Sequence, residues 1–388
     1  MRRIKYIAAA LLAASALTLS ACSDADLAVR DEYGRFGTQN RWVYSAAEDP
    51  DADAIWAQMT ACTAALEASL SVSAEGGDIA RFNAAAAGQT VSVGETAYKV
   101  LQIAMAIYEE TDGAYDPAVG LLVDLWGFSA RHRSSGYEPT LAYDRADPES
   151  ELPAQTYIEA FSDPALRDFG AVALAEEDGA YSVVKPDTVA PAVEGDGATY
   201  TMQLCLDGIG KGASVDAAWE ILRAADVRYG YYNAGGSSLL VLENPARSDG
   251  LWEITVNSPR EELGASYATL SVSNTTISTS GDYEQYYEIG GTRYCHIIGR
   301  DGMPVGAGSH VLCATVVGGS AAAGDARATA LVAMTEEEAV AYASAHADEF
   351  RVMFVWYDAA EDSYALYTNL DEASYELTAS FDRVEAFS

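Results

Sequence analysis

Between Tyr229 and Val317 the chain is written as short runs of β-forming residues separated by turns, and this stretch limits the fold more than any other. Ser238 to Leu242, Leu251 to Val256, Ala268 to Val272, Tyr286 to Ile289 and Leu312 to Val317 are the runs, and Gly and Asn break the chain between them. Such a pattern reads as strands joined by tight turns. Helical periodicity lies outside it. Ile55, Met59, Cys62, Leu66 and Leu70 recur at intervals of three and four within Asp51 to Leu70. Val100, Leu101, Ala104 and Ile107 share one side of Glu95 to Glu110. This spacing marks amphipathic helices. Further helices are expected at Ala213 to Ala225, Asp325 to Met334 and Glu336 to Ala347, and a closing hairpin at Arg351 to Trp356 with Ser363 to Thr368. Strands in runs beside segregated helices predict an α+β fold of mixed or antiparallel sheets with flanking helices.

Residues 1–22 read as a processing segment. Arg2, Arg3 and Lys5 form a basic head, Ile7 to Leu17 is apolar, and Leu19-Ser20-Ala21-Cys22 ends it on small residues and a cysteine. The apolar run is shorter than the roughly 20 residues a membrane span needs, so cleavage is the better reading. The ending resembles a bacterial lipobox, which would leave Cys22 lipidated and the protein anchored to the cell membrane on its extracytoplasmic side. Residues 23–35 read as a polar tether. Residues 129–196, rich in Ser, Pro, Asp and Glu without sustained period, read as the most variable and exposed part.

The formal charge is −35, and loss of the three basic residues of the leader takes it to −38. That charge repels nucleic acid and anionic headgroups, so neither is an expected partner. Beyond Cys22, the cysteines at 62, 205, 295 and 313 include no Cys-x-x-Cys pair, which speaks against a zinc cluster. A Cys295–Cys313 bridge and buried free thiols both remain open.

Several clusters can carry chemistry. Thr329 follows Asp325 by four residues, which on a helix places a carboxylate and a hydroxyl on one face. Two hard oxygens so placed suit Mg²⁺, although the same spacing also serves an ordinary helix cap. Asp207-Gly208-Ile209-Gly210-Lys211-Gly212 opens a helix where backbone can approach a phosphate. It lacks the Gly-Lys-Ser/Thr ending of a Walker loop and the glycine spacing of a Rossmann turn. Gly113-Ala114-Tyr115-Asp116 sets a carboxylate beside an aromatic, and His296 follows a tyrosine-rich strand.

Taken in order with Leu125-Trp126-Gly127-Phe128, Asn233-Ala234-Gly235-Gly236 and Thr279-Ser280-Gly281-Asp282-Tyr283, these segments resemble the ApbE-type FAD:protein FMN transferases. The likeness spans residues 36–350, with 351–388 as a C-terminal hairpin and tail packed on that domain. The resemblance implies two subdomains with the FAD site in the groove between them. It implies Mg²⁺ held by Asp325, Thr329 and the main-chain carbonyl of Gly208. It further implies contacts to FAD by Phe36, Ser73, Ala114, Tyr115, Asp116, Lys211, Ile298 and position 205, with His296 and Asp325 catalytic. Position 205 departs from the family pattern, because Cys205 stands where Asp is usual. Gly299-Arg300-Asp301-Gly302 replaces an Asp-Pro turn, and Asp301 is a candidate for the lost carboxylate. Asp196-Gly197-Ala198-Thr199 resembles the acceptor sequence these enzymes modify, a match short enough to arise by chance.

The resemblance implies transfer of FMN from FAD to a Thr or Ser hydroxyl of a partner flavoprotein with release of AMP. Expected partners are flavin-accepting subunits of membrane or extracellular electron-transfer systems. The same site used with water would make the protein an FAD pyrophosphatase giving FMN and AMP. A solute-binding lipoprotein would share the leader, but the long strand-rich middle argues against that reading.

Overall fold

A computed structural model describes residues 26–48, 50–129 and 152–387. The leader with Cys22 lies outside the described residues. In chain order come β1 (Leu27–Tyr33), β2 (Gln39–Ser45), α1 (Ala52–Leu70), α2 (Asp78–Ala84), β3 (Thr90–Val93), α3 (Glu95–Glu110) and α4 (Gly120–Leu125). Then follow α5 (Gln155–Phe161), α6 (Pro164–Arg167), β4 (Ala173–Glu177), β5 (Ala180–Val184) and α7 (Gly210–Ala224). Strands β6 (Gly230–Ala234), β7 (Ser238–Val241), β8 (Trp252–Asn257), β9 (Ser266–Val272) and β10 (Thr275–Gly281) succeed one another. After β11 (Tyr286–Ile289), β12 (Thr292–Cys295) and β13 (His310–Val317) come α8 (Ala321–Val332) and α9 (Glu336–Ala345). The chain closes with β14 (Arg351–Asp358), β15 (Ser363–Thr368), β16 (Tyr375–Leu377) and β17 (Arg383–Ala386).

The chain divides into two compact units. One comprises Ile209–Tyr283, Gly308–Ser388 and the described part of Ala9–Ala65. Among the described residues, nine of its strands form one sheet in the order β1-β2-β6-β7-β10-β13-β14-β15-β17. Neighbours are antiparallel except β15 and β17. Alternation sorts the side chains onto two faces. On one face Trp42, Tyr232 and Leu240 pack with Ile55 and Met59 of α1 and Val215 and Leu222 of α7. On the other, Tyr231, Val241, Ile277 and Val355 pack against the small β16-β9-β8 sheet through Ile254, Tyr267 and Leu270.

The other unit comprises the described part of Leu66–Gly208, together with Glu284–Ala307. Its sheet β3-β5-β4 is small, and β11 pairs only with β12 among the described strands. Leu122, Trp126, Phe161 and Leu166 form its core. Lys185 is fully buried there. Its ammonium donates to the carbonyls of Phe82, Asn83 and Ala85 at 2.9–3.1 Å, and so satisfies the end of α2.

The α+β class stands, with three corrections. Residues 27–33 of the expected tether form β1, because Leu27 to Tyr33 finds a full antiparallel register on β2. The stretch expected to be exposed contains Phe161, Leu166, Phe169 and Val183, each at most 1% exposed, because two short helices and a hairpin bury them without long periodicity. Residues 130–151 of that stretch lie outside the described residues. The C-terminal hairpin is not laid on a finished domain, since β14 sits inside the large sheet between β13 and β15. Of the two cysteine readings, free thiols hold: Cys205, Cys295 and Cys313 are buried and Cys62 is half-buried.

Candidate active site

In the larger unit, Asp325 lies on the second turn of α8 and is 6% exposed. Its Oδ2 accepts the Gly212 N–H at 2.6 Å and its Oδ1 accepts the Ser238 hydroxyl at 2.5 Å. Burial pushes its carboxyl up from the usual range; the Lys211 ammonium and the bonds from Ser238, Gly212 and Ser278 oppose that shift. One turn later, the Thr329 hydroxyl donates to the Asp325 carbonyl at 3.0 Å and lies 3.1 Å from Ser280 Oγ. The expected pairing on one helical face therefore holds. Gly324 lets α8 lie close on β10, because a Cβ there would stand 3.0 Å from Ser278 Oγ.

Two of the glycines in the Asp207–Gly212 stretch, Gly210 and Gly212, have steric reasons. A Cβ on Gly212 would fall 2.2 Å from the Ala321 carbonyl oxygen, so only glycine lets the starts of α7 and α8 touch. A Cβ on Gly210 would fall 2.8 Å from the Phe36 ring. Phe36 itself has φ +47, a left-handed backbone that costs a bulky residue energy and persists only where surroundings hold it. An Arg35–Glu32 ion pair and the Thr38 hydroxyl on the Arg35 carbonyl do so. The structure thus gathers Phe36, Lys211 and Asp325 around the first turn of α7, with Thr329 one turn further along α8 beside Ser280. Gly208 stands in the turn just before it.

In the smaller unit, Asp116 accepts the Ala118 N–H at 2.8 Å and pairs with Arg167 at 3.0 Å. Burial raises its carboxyl to about 6, against the pull of Arg167. Arg167 also donates to the carbonyls of Gly299 and Arg300, and Arg300 to those of Thr111 and Asp112. These bonds tie the loop at 111–118 to the turn at 299–302 beside an open cleft of about 500 Å³. Asp112, Gly113 and Asp116 line it, whereas Ala114 and Tyr115 are buried behind them. Asp301 accepts the Met303 N–H and so caps its own turn.

His296 follows β12, whose hairpin is pinned by stacking of Tyr294 on Trp126 and of Tyr287 on Phe128. Those tyrosines are thereby committed to the core. His296 Nδ1 lies 3.3 Å from the Gln285 carbonyl, so this nitrogen carries the proton of the neutral ring and Nε2 is its acceptor. Cys205 and Ile298 belong to the apolar core, and the Cys205 N–H donates to the Pro117 carbonyl at 2.8 Å. Ser73 is exposed in the turn after α1, 3.0 Å from Ser71. Asp282 is fully buried, held by Arg260 on both oxygens and by His310 at 2.9 Å.

The residues around Asp325 fit Mg²⁺. The side-chain groups offered as ligands, the Asp325 carboxylate and the Thr329 hydroxyl, are hard oxygens, and burial disfavours the carboxylate's charge until cationic charge offsets it. Ser238, Ser278 and Arg167 escaped the sequence reading. Ser238 and Ser278 are ordinary strand serines until the sheet aims them at α8. Arg167 sits in a stretch whose composition looked structureless.

The profile of the ApbE family matches residues 36–354. The chain is similar to an FAD:protein FMN transferase of Rhodobacter capsulatus, 31% identical over 264 residues, covering 68% of this chain and 43% of that protein. It is also similar to one of Vibrio cholerae serotype O1, 27% identical and covering 69% of this chain and 70% of that one. The chain therefore spans less than half of the first relative. Among solved structures, the flavin transferase ApbE from Vibrio cholerae superposes with a TM-score of 0.70 at 22% identity, over 89% of this chain and 97% of that one. The apo Pseudomonas stutzeri flavinyl transferase ApbE gives 0.67 at 21%, over 92% and 95%. These two likenesses establish the fold.

Proposed function

From the premise that the chain belongs to the ApbE family, we propose that it is an Mg²⁺-dependent FAD:protein FMN transferase. It would move FMN from FAD onto a Thr or Ser hydroxyl of a partner flavoprotein and release AMP. The observation that carries this reading is the buried Asp325 carboxylate bonded to the first turn of α7, with Lys211 beside it. A helix N-terminus and a lysine both favour the oxygens of a pyrophosphate. Asp325, Thr329 and the Gly208 carbonyl are the groups that would hold Mg²⁺. When bound, the ion neutralises charge on the pyrophosphate.

The chain's own residues have separate tasks. Lys211 and the α7 amides bind phosphate oxygens and fix the phosphorus in place. By the family likeness, His296 is the candidate base for the proton that the acceptor hydroxyl loses as its oxygen bonds to the FMN phosphorus. The bond from that phosphorus to the bridging oxygen breaks, and AMP leaves with the bridge. Phe36 serves the flavin, and the loop at Ala114, Tyr115 and Asp116 serves the adenosine end. Processing at Cys22 would tether the protein outside the cell membrane, within reach of flavin-accepting subunits of electron-transfer systems. Cys22→Ser should release it from the membrane fraction.

Purified protein, FAD and a candidate acceptor domain, with and without Mg²⁺, test the reading. In-gel flavin fluorescence on the acceptor and stoichiometric AMP are expected only with Mg²⁺. AMP and FMN without labelled acceptor would favour hydrolysis. No AMP under any condition would sink both.

A further inference from the structure

We infer that Asp216 is a positioning residue for the cation site: from α7 it holds the start of α8, and so sets where Asp325 and Thr329 stand. The inference rests on the cation-site reading above. A helix begins with four N–H groups that lack intrahelical partners. On α8 three of these, at Ala321, Ala322 and Ala323, are met by side chains, two of them by a carboxylate of another helix. The Ala321 N–H donates to Asp216 Oδ1 at 2.7 Å and the Ala322 N–H to Asp216 Oδ2 at 3.0 Å. The Ser320 hydroxyl donates to the same Oδ2 at 2.6 Å and accepts the Ala323 N–H at 3.3 Å. The Gly324 N–H then makes the first bond within the helix, to the Ser320 carbonyl.

The arrangement is reciprocal. Asp216 stands four residues after Gly212 on α7, and Asp325 four residues after Ala321 on α8. Each aspartate therefore reaches back one turn over its own helix start to the amides of the other. Asp325 caps Gly212 while Asp216 caps Ala321 and Ala322. Because Gly212 admits no Cβ against the Ala321 carbonyl, the two starts are in contact. Sliding or rotating one helix breaks both sets of bonds at once. On α9, by contrast, the cap comes from the helix's own sequence, where Thr335 and Glu338 form a capping box. Taking the carboxylate from α7 adds a register between the helix that bears the hard oxygens and the helix start that bears Lys211.

Calorimetric titration of the purified chain with MgCl₂, without FAD, tests this. Asp216→Ala is expected to weaken Mg²⁺ binding about 10- to 100-fold, as loss of groups that orient metal ligands does. Asp216→Asn, which keeps one acceptor oxygen, is expected to fall between. Thr335→Ala removes a comparable cap from α9 and should leave Mg²⁺ affinity unchanged. Wild-type affinity in Asp216→Ala, or a loss no greater than in Thr335→Ala, overturns the inference. If Asp216→Ala does not fold, wild-type affinity in Asp216→Asn overturns it instead. A wild-type protein that takes up no Mg²⁺ removes the cation-site reading, and this inference with it, whereas Mg²⁺ uptake indifferent to Asp216 removes this one alone.

Discussion

On the proposed reading Asp325 has two roles, cap of the α7 start and cation ligand, and substitutions can separate them. An asparagine there can still accept from the Gly212 N–H and donate to Ser238 Oγ, so the helix start remains satisfied. Asp325→Asn is therefore expected to melt close to wild type while losing most Mg²⁺ affinity, and Thr329→Val to lose less, since it removes a neutral ligand. Calorimetry on both decides it; unchanged Mg²⁺ affinity in Asp325→Asn would rule out the metal assignment. Asp116 gives a pH signature. Its folded-state carboxyl is raised by burial to about 6 from 3.8, so between those values the folded chain holds a proton that the unfolded chain has released. Its contribution to stability is full below the lower value and is lost as pH rises through the higher. Asp116→Asn should remove that decline. Melting curves of both proteins from pH 4 to 7 should diverge or converge across this window, and a constant difference would exclude the linkage.

At the scale of elements, the contact between α7 and α8 is the demanding one. In Gly212→Ala the new methyl meets backbone, which cannot swing aside as a side chain does. Overpacking of this kind costs about 1–3 kcal/mol. The helices should separate enough to break the Gly212–Asp325 bond. A lower melting temperature together with weaker Mg²⁺ binding is expected; retention of both would mean that the starts of α7 and α8 have more room than the 2.2 Å approach implies. The hairpin β11–β12 is held differently, by aromatic faces stacked on Trp126 and Phe128, so it presents His296 from a fixed base.

For the whole molecule, 58 acidic against 23 basic residues leave unbalanced self-repulsion that the folded state concentrates. Salt screens it over about 10 Å at 0.1 M. The melting temperature should therefore rise between low salt and 0.3 M NaCl. A flat or falling curve would show that the specific ion pairs, such as Asp31–Arg41, outweigh the net repulsion.

Local rules decided part of this protein. Periodicities of two and of three to four residues placed most strands and the main helices, because side-chain direction follows backbone geometry within a few residues. The i, i+4 spacing of Asp325 and Thr329 was legible for the same reason. What tertiary structure alone decided are the relations between distant segments. Nothing local says that Asp216 caps a helix about a hundred residues away, that Ser238 faces Asp325, or that Arg167 joins two loops. These contacts depend on strand order and helix docking, which arise from the summed burial of many side chains. Cys205 shows the difference well: its position in the motif pointed to the ligand, and packing put it in the core. Residues 27–33 show it too, since a polar acidic run becomes a strand only because β2 offers it an open edge.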